Sequence, residues 1–147
     1  MFKVGKDTNP KDAVGIKKPR LYSNLPANVS KEISVAMMEG ARKYGRHNYR
    51  VAGVRASVYF DACIDHLNAF WEGETIDPDS GLHHITKALS CLYVLRDAQM
   101  NNKCEDDRPP PSDVAGDRIK LQKIVDNIFN KYPKSEPAYV NGDKDLR

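Results

Sequence analysis

Three cysteines among 147 residues are too few for a disulfide framework, and Cys63, Cys91 and Cys104 match no zinc-ligand spacing. No apolar run approaches the roughly 20 residues that span a bilayer. The opening Met1-Phe2-Lys3-Val4-Gly5-Lys6-Asp7 lacks the apolar core of a signal peptide. The expected setting is therefore a reducing cytoplasm (that of a host, if the source is viral), with no membrane partner. No internal repeat is present, and no alternation of apolar and polar residues is strong enough to build a sheet. Nor is there an excess of one charge. A net charge of +3 and a pI near 8.7 are mildly basic, which argues against a dedicated nucleic-acid binder.

What is present is helical patterning in a chain of one-domain size, 40% hydrophobic and 29% charged. Residues 1–28 read as an extended basic arm. Pro10, Pro19 and Pro26 forbid a continuous helix there, and Lys6, Lys11, Lys17, Lys18 and Arg20 supply its charge. Such an arm is either a solvated tail or a flap that carries lysines onto phosphates. Residues 29–100 read as the helical core. Residues 101–147 read as a proline-rich linker, a helix from about Ser112 to Tyr132 and an extended tail.

The core is organised around residues 59–97. Tyr59, Ala62, Cys63, His66, Ala69 and Phe70 share one helix face, and His84, Ala88, Cys91 and Leu95 share another. The acidic stretch Gly73–Gly81 between them is too short to let the two helices separate. They are expected to pack as an antiparallel hairpin with His66 and His84 both near the turn. Asp77-Pro78 also matches an N-cap followed by proline at the first helical position. Paired imidazoles beside Asp65, Glu74 and Asp77 are raw material for a hard-cation site, Mg²⁺ or Mn²⁺. Asp61, Asn68 and Glu72 read as solvated.

Ser30 looks like the N-cap of an earlier helix that runs to about Lys43, with Glu32 as a first-turn acid and Ile33, Ala36, Met37 and Ala41 facing the core. Glu39 sits deeper, beside Gly40-Ala41, where small residues allow close helix contact. Gly45 ends the helix. The loop after it crowds Lys43, Tyr44, Arg46, Asn48, Tyr49 and Arg50 together, a composition suited to phosphate, base and sugar. Ser57 is expected to cap the next helix.

Taken in order, Asn9-Pro10-Lys11-Asp12, Gly15, Lys17-Lys18-Pro19, Gly40-Ala41-Arg42-Lys43-Tyr44-Gly45, Asn48-Tyr49-Arg50, His66-Leu67, Gly73-Glu74, Asp77, Ser80-Gly81-Leu82 and His84 resemble the phage-type dATP/dGTP diphosphohydrolase domain. That family is similar to the MazG-like, all-α nucleoside triphosphate pyrophosphohydrolases. The resemblance implies an all-α, MazG-like helical bundle with an extended N-terminal arm and an additional C-terminal helix. It implies hydrolysis of purine (d)NTPs to (d)NMP and pyrophosphate with Mg²⁺ or Mn²⁺, in a homodimer or dimer of dimers.

MazG relatives place their metals on an ExxE and a later ExxD motif. This chain has no ExxE, and its single ExxD, Glu74 to Asp77, lies at the turn. The expected ligands are Glu39, Glu74 and Asp77, with Asp65 in reserve, and His66 and His84 stand beside Glu74 and Asp77 as catalytic candidates. Lys43, Arg46 and Arg50, with Lys11 and Lys18, are expected to neutralise phosphates. Tyr44 or Tyr49 would stack on the base and Asn48 would read its edge or the sugar. Two rivals make different demands. An HD-type nucleotidase needs His followed by Asp, whereas here the order is Asp65-His66. A small helical phage adaptor would use the basic arm on nucleic acid, with salt-sensitive binding and no need of a divalent ion.

Overall fold

A computed structural model describes residues 9–19 and 21–142 of the chain. Within them the order is α1 (Pro10–Gly15), a 3₁₀ turn (Tyr22–Asn24), α2 (Ala27–Tyr44), α3 (Asn48–Val51), β1 (Val54–Arg55), α4 (Ala56–Trp71), α5 (His84–Met100), β2 (Cys104–Glu105) and α6 (Val114–Lys131). The chain divides into two compact units, residues 1–108 and 109–147. The expected all-α, MazG-like class holds. One short element lies outside it: Val54 pairs in parallel with Cys104 and Arg55 with Glu105.

In the first unit the dominant contact is between α4 and α5, and α2 packs on α5. Among the described residues the buried apolar side chains are mostly small: Ala36 on α2, Ala56 and Cys63 on α4, and Ala88 and Ala98 on α5, with Ile33 larger; Asp77, His84 and Thr86 are buried as well. Small residues at a helix contact let the backbones approach closely, which brings the polar groups near the turn within hydrogen-bond reach of one another. The expected hairpin is present, and so are its inward faces except at Phe70, which is exposed near the turn end of α4.

Helix starts differ from expectation. α2 begins at Ala27, ahead of Ser30, because Pro26 supplies a rigid entry; the Ser30 hydroxyl bonds back to the Pro26 carbonyl at 3.2 Å. Glu32 is accordingly outside the first turn. α4 begins at Ala56, and Ser57 does not cap it. Asp107, distant in sequence, accepts from the Ser57 N–H at 2.8 Å and from its hydroxyl at 2.5 Å. This carboxylate satisfies an orphan donor and lies at the positive end of the helix dipole. Asp77-Pro78 starts no helix; His83 caps α5 instead, its Nδ1 accepting from the Ile85 N–H at 3.2 Å. In the arm, Pro10 opens a helix rather than preventing one, since Asn9 caps it and accepts from the Lys11 N–H at 3.0 Å. The arm is thus not extended over residues 10–15. Lys6 and Arg20 lie outside the described residues.

In the second unit, α6 is capped by Asp113, which accepts from the Gly116 N–H at 2.9 Å. The expected stripe of Leu121, Ile124, Val125 and Ile128 is formed, with Tyr132 just past the last turn, and every one of these side chains is exposed.

Gly53 lets the strand pair close. Its φ is +81°, and a Cβ there would lie 2.7 Å from the Lys103 carbonyl oxygen, the same oxygen that accepts from the Val54 N–H at 2.8 Å. Gly53→Ala is expected to destabilise the protein by at least about 1–2 kcal/mol, the ordinary cost of a side chain in left-handed backbone, seen as a lower urea midpoint with an unchanged slope.

Candidate functional site

The turn between α4 and α5 is held in a fixed shape by its own backbone. The Asp77 N–H donates to the Leu82 carbonyl at 2.8 Å, the Gly81 N–H to the Asp77 carbonyl at 2.8 Å and the His84 N–H to the Thr75 carbonyl at 3.0 Å. Asp77, 8% exposed, turns its carboxylate inward. It accepts from the Ser80 hydroxyl at 2.5 Å, the Ser80 N–H at 3.2 Å and the Asp79 N–H at 3.4 Å. Burial raises its pKa, but the Ser80 hydroxyl, the two backbone N–H groups and the nearby Lys87 outweigh that and hold it below the usual carboxylate value.

Two lysines and three carboxylates link this turn to α2. Lys43 donates to Glu39 Oε1 at 2.6 Å and to Asp79 Oδ2 at 2.8 Å. Lys87 donates to Glu39 Oε2 and lies 3.9 Å from Asp77 Oδ2. The order is Asp79, Lys43, Glu39, Lys87, Asp77. Lys43 and Lys87 depress the pKa of Glu39 against the opposing effect of burial. The Asp79 and Glu39 bonds raise that of Lys43. Glu32, expected to be only a first-turn acid, accepts from the buried Thr86 hydroxyl at 2.6 Å and so ties α2 to α5.

Beside the turn the two predicted histidines meet. Nδ1 of His66 and Nδ1 of His84 are 2.9 Å apart, and Nε2 of His84 is 3.1 Å from Glu74 Oε1. His84 is 4% exposed, whereas the Glu74 side chain is 56% exposed. The His66 pKa is lowered, first by desolvation and then by His84 and Lys87, with Asp77 and Asp65 opposing.

Of the other expected groups, Asp65, Asp61, Asn68 and Glu72 face solvent. Lys43 reaches the turn. Arg50 does not: it forms a two-pronged pair with Asp97 of α5, at 2.9 and 2.5 Å, and thereby fixes the loop after α2 onto α5. Tyr44 and Arg46 are exposed, while Asn48 and Tyr49 are half-buried on α3, with the Tyr49 hydroxyl 3.4 Å from His47 Nδ1. Lys11 and Lys18 are exposed and form no ion pair among the described residues. Lys87, Asp79 and Asp97 were not anticipated. A signal for Lys87 was available: it follows His84 by three residues and therefore shares its face.

Among the described residues no three His, Cys, Asp or Glu side chains are grouped to hold a metal ion. Glu39 and Asp77 both approach Lys87 rather than each other, Glu74 is engaged by His84, and Asp65 stands apart. A metal cage built from protein alone does not fit. Glu39 and Asp77 stand on either side of the Lys87 ammonium, and they are the two carboxylates that could hold a divalent ion completed by phosphate and water once Lys87 is drawn away.

The fold and site define a small helical protein with an acidic turn that buries Asp77, two lysines and an imidazole pair. A family model described as dATP/dGTP diphosphohydrolase, N-terminal, matches residues 8–108, and the chain belongs to that family. No curated protein and no solved structure matches the chain. Among the described residues no helix is long and apolar enough to cross a membrane.

His66 sets a pH dependence. His66, with its folded pKa below the ordinary value of about 6.5, contributes stability that is present above that value and is lost as pH falls through its folded pKa. Glu39, Asp77, Asp97 and Asp107, all shifted down, lose their contribution only below about pH 4. Urea unfolding between pH 8 and 3, a range chosen to span both values, is expected to show two separate declines, and His66→Asn should remove only the upper one.

Proposed function

We propose that the chain hydrolyses purine (d)NTPs, dGTP and dATP, to the (d)NMP and pyrophosphate, with Mg²⁺ or Mn²⁺ as the divalent ion. Family membership supports nucleotide hydrolysis in general. The observation that carries the finer reading is the convergence of Lys43 and Lys87 on the Asp77–Asp79 turn beside the His66–His84 pair. The Lys43–Asp79 pair is exposed on both sides and is held by little net energy, so a polyphosphate can take Lys43 over. Lys43 and Lys87 would then neutralise phosphate charge, with Arg46, Lys11 and Lys18 adding to the attraction. Arg50 serves by holding the loop through Asp97. Tyr44 or Tyr49 would stack on the base and Asn48 read its edge or the sugar. Glu39 and Asp77 would hold the divalent ion, whose charge would polarise the α-phosphate and offset that of the leaving pyrophosphate. Asp77 and Ser80 keep the turn in shape.

A second copy of the chain is part of this reading. Phe60, Ile64, Leu67 and Trp71 recur at spacings of four, three and four along α4 on the face away from α5, and all four are exposed, Trp71 at 82%. A helix with apolar residues on opposite faces calls for a partner on each. A homodimer or dimer of dimers would supply it. Light scattering should report a dimer or tetramer for the wild type, and Ile64→Asp with Trp71→Asp should shift it to monomer; an unaltered oligomer would rule this face out.

The reaction is tested with the eight common (d)NTPs and product chromatography. Release of pyrophosphate from dGTP and dATP, abolished by EDTA, is expected. Asp77→Asn and Glu74→Gln should each lower turnover by at least about 100-fold, the scale of removing a positioned catalytic group, with helix content retained. Salt-sensitive DNA binding without turnover would instead support a nucleic-acid adaptor.

A further inference from the structure

The Glu74, His84 and His66 side chains form a continuous line of hydrogen bonds, and the direction of each bond is forced by the one before it. An ionised carboxylate can only accept. Glu74 therefore accepts a hydrogen bond from His84 Nε2–H across their 3.1 Å contact. A neutral imidazole carries one N–H, so His84 Nδ1 holds a lone pair. The 2.9 Å contact between the two Nδ1 atoms then requires His66 to be the donor, through Nδ1–H. That leaves the Nε2 of His66 unprotonated. We infer that His66 Nε2 is a wired proton acceptor for the hydrolysis proposed above, with His84 and Glu74 as positioning residues behind it. This inference rests on that reading for its use, while the wiring stands on the geometry alone.

The line also solves an electrostatic problem. His66 faces Asp77, Asp65, His84 and Lys87, and with desolvation the balance disfavours a cation on its ring. The proton need not leave its charge there. As a water oxygen bonds to the α-phosphorus, the bond from that phosphorus to the bridging oxygen breaks and pyrophosphate departs with the electron pair. His66 Nε2 takes the water's proton while its Nδ1–H passes to His84 Nδ1. His66 ends neutral, with its proton on the other nitrogen, and His84 becomes the imidazolium, paired with Glu74. Glu74 is half-exposed and gives the proton a way out to solvent, which resets the line.

The test uses the full-length protein with ¹⁵N-labelled histidine. Long-range ¹H–¹⁵N spectra above neutral pH are expected to show His66 protonated on Nδ1 and His84 on Nε2. His66 with Nε2–H would overturn the wiring whatever the activity. Glu74→Gln retains an acceptor oxygen but no charge, so it should keep both tautomers and lower kcat with KM within about threefold. His66→Asn should lower kcat by about 100-fold or more, the range for a general base. Wild-type kcat in His66→Asn would overturn its role as acceptor. If the wild type hydrolysed none of the nucleotides yet showed these tautomers, the hydrolase reading would fail and the wired pair would stand.

Discussion

The close approach of α4 to α5 is the constraint on which the site depends. Ala56, Cys63, Ala88 and Ala98 are small enough to bring the two backbones together, and at the turn end of that seam the imidazoles of His66 and His84 come within hydrogen-bonding distance. Larger residues in the seam would separate the rings and break the line to Glu74. The polar groups at this end are satisfied: among the described residues no buried side-chain nitrogen or oxygen lacks a partner. A buried polar network that is fully paired holds its members in one arrangement. The rigidity useful for chemistry therefore comes from packing and hydrogen bonding together.

Electrostatically, the site's charges are paired among themselves, with one negative charge in excess. Glu39, Asp77 and Asp79 carry three negative charges against the two positive charges of Lys43 and Lys87. Asp79 and Glu39 keep Lys43 ionised and aimed, and the lysines help to keep Glu39 and Asp77 ionised. The loop that follows α2 is fixed independently by the Arg50–Asp97 pair, so its aromatic and amide groups stay close to α5 without using the site's own charges.

The hairpin was legible because its signal is periodic. His66 and His84 repeat with apolar neighbours at helical spacing, and a nine-residue connection leaves no alternative to antiparallel packing. The end of α2 at Gly45, whose φ is +92°, was legible for a local reason, the need for left-handed backbone. What could not be read were contacts between residues far apart in sequence. Ser57 has the composition of a cap, but the group that acts there is Asp107. Asp77-Pro78 has the composition of a helix start, yet the bonds from Ser80 and Asp79 make it the floor of a turn. Arg50 has the composition of a phosphate ligand and is held by Asp97. Local chemistry set the type of each residue, and tertiary contacts assigned its partner.

The account stands or falls on whether a triphosphate settles at the corner where α2, α4 and α5 meet. Amide and side-chain shift mapping with a non-hydrolysable α,β-methylene dGTP and Mg²⁺ tests this most directly. Perturbations should centre on Glu39, Lys43, His66, the Asp77–Ser80 turn, His84 and Lys87, with α6 unaffected. Saturable binding whose shifts centred on α6 or on Lys11 and Lys18, leaving that corner unchanged, would contradict it.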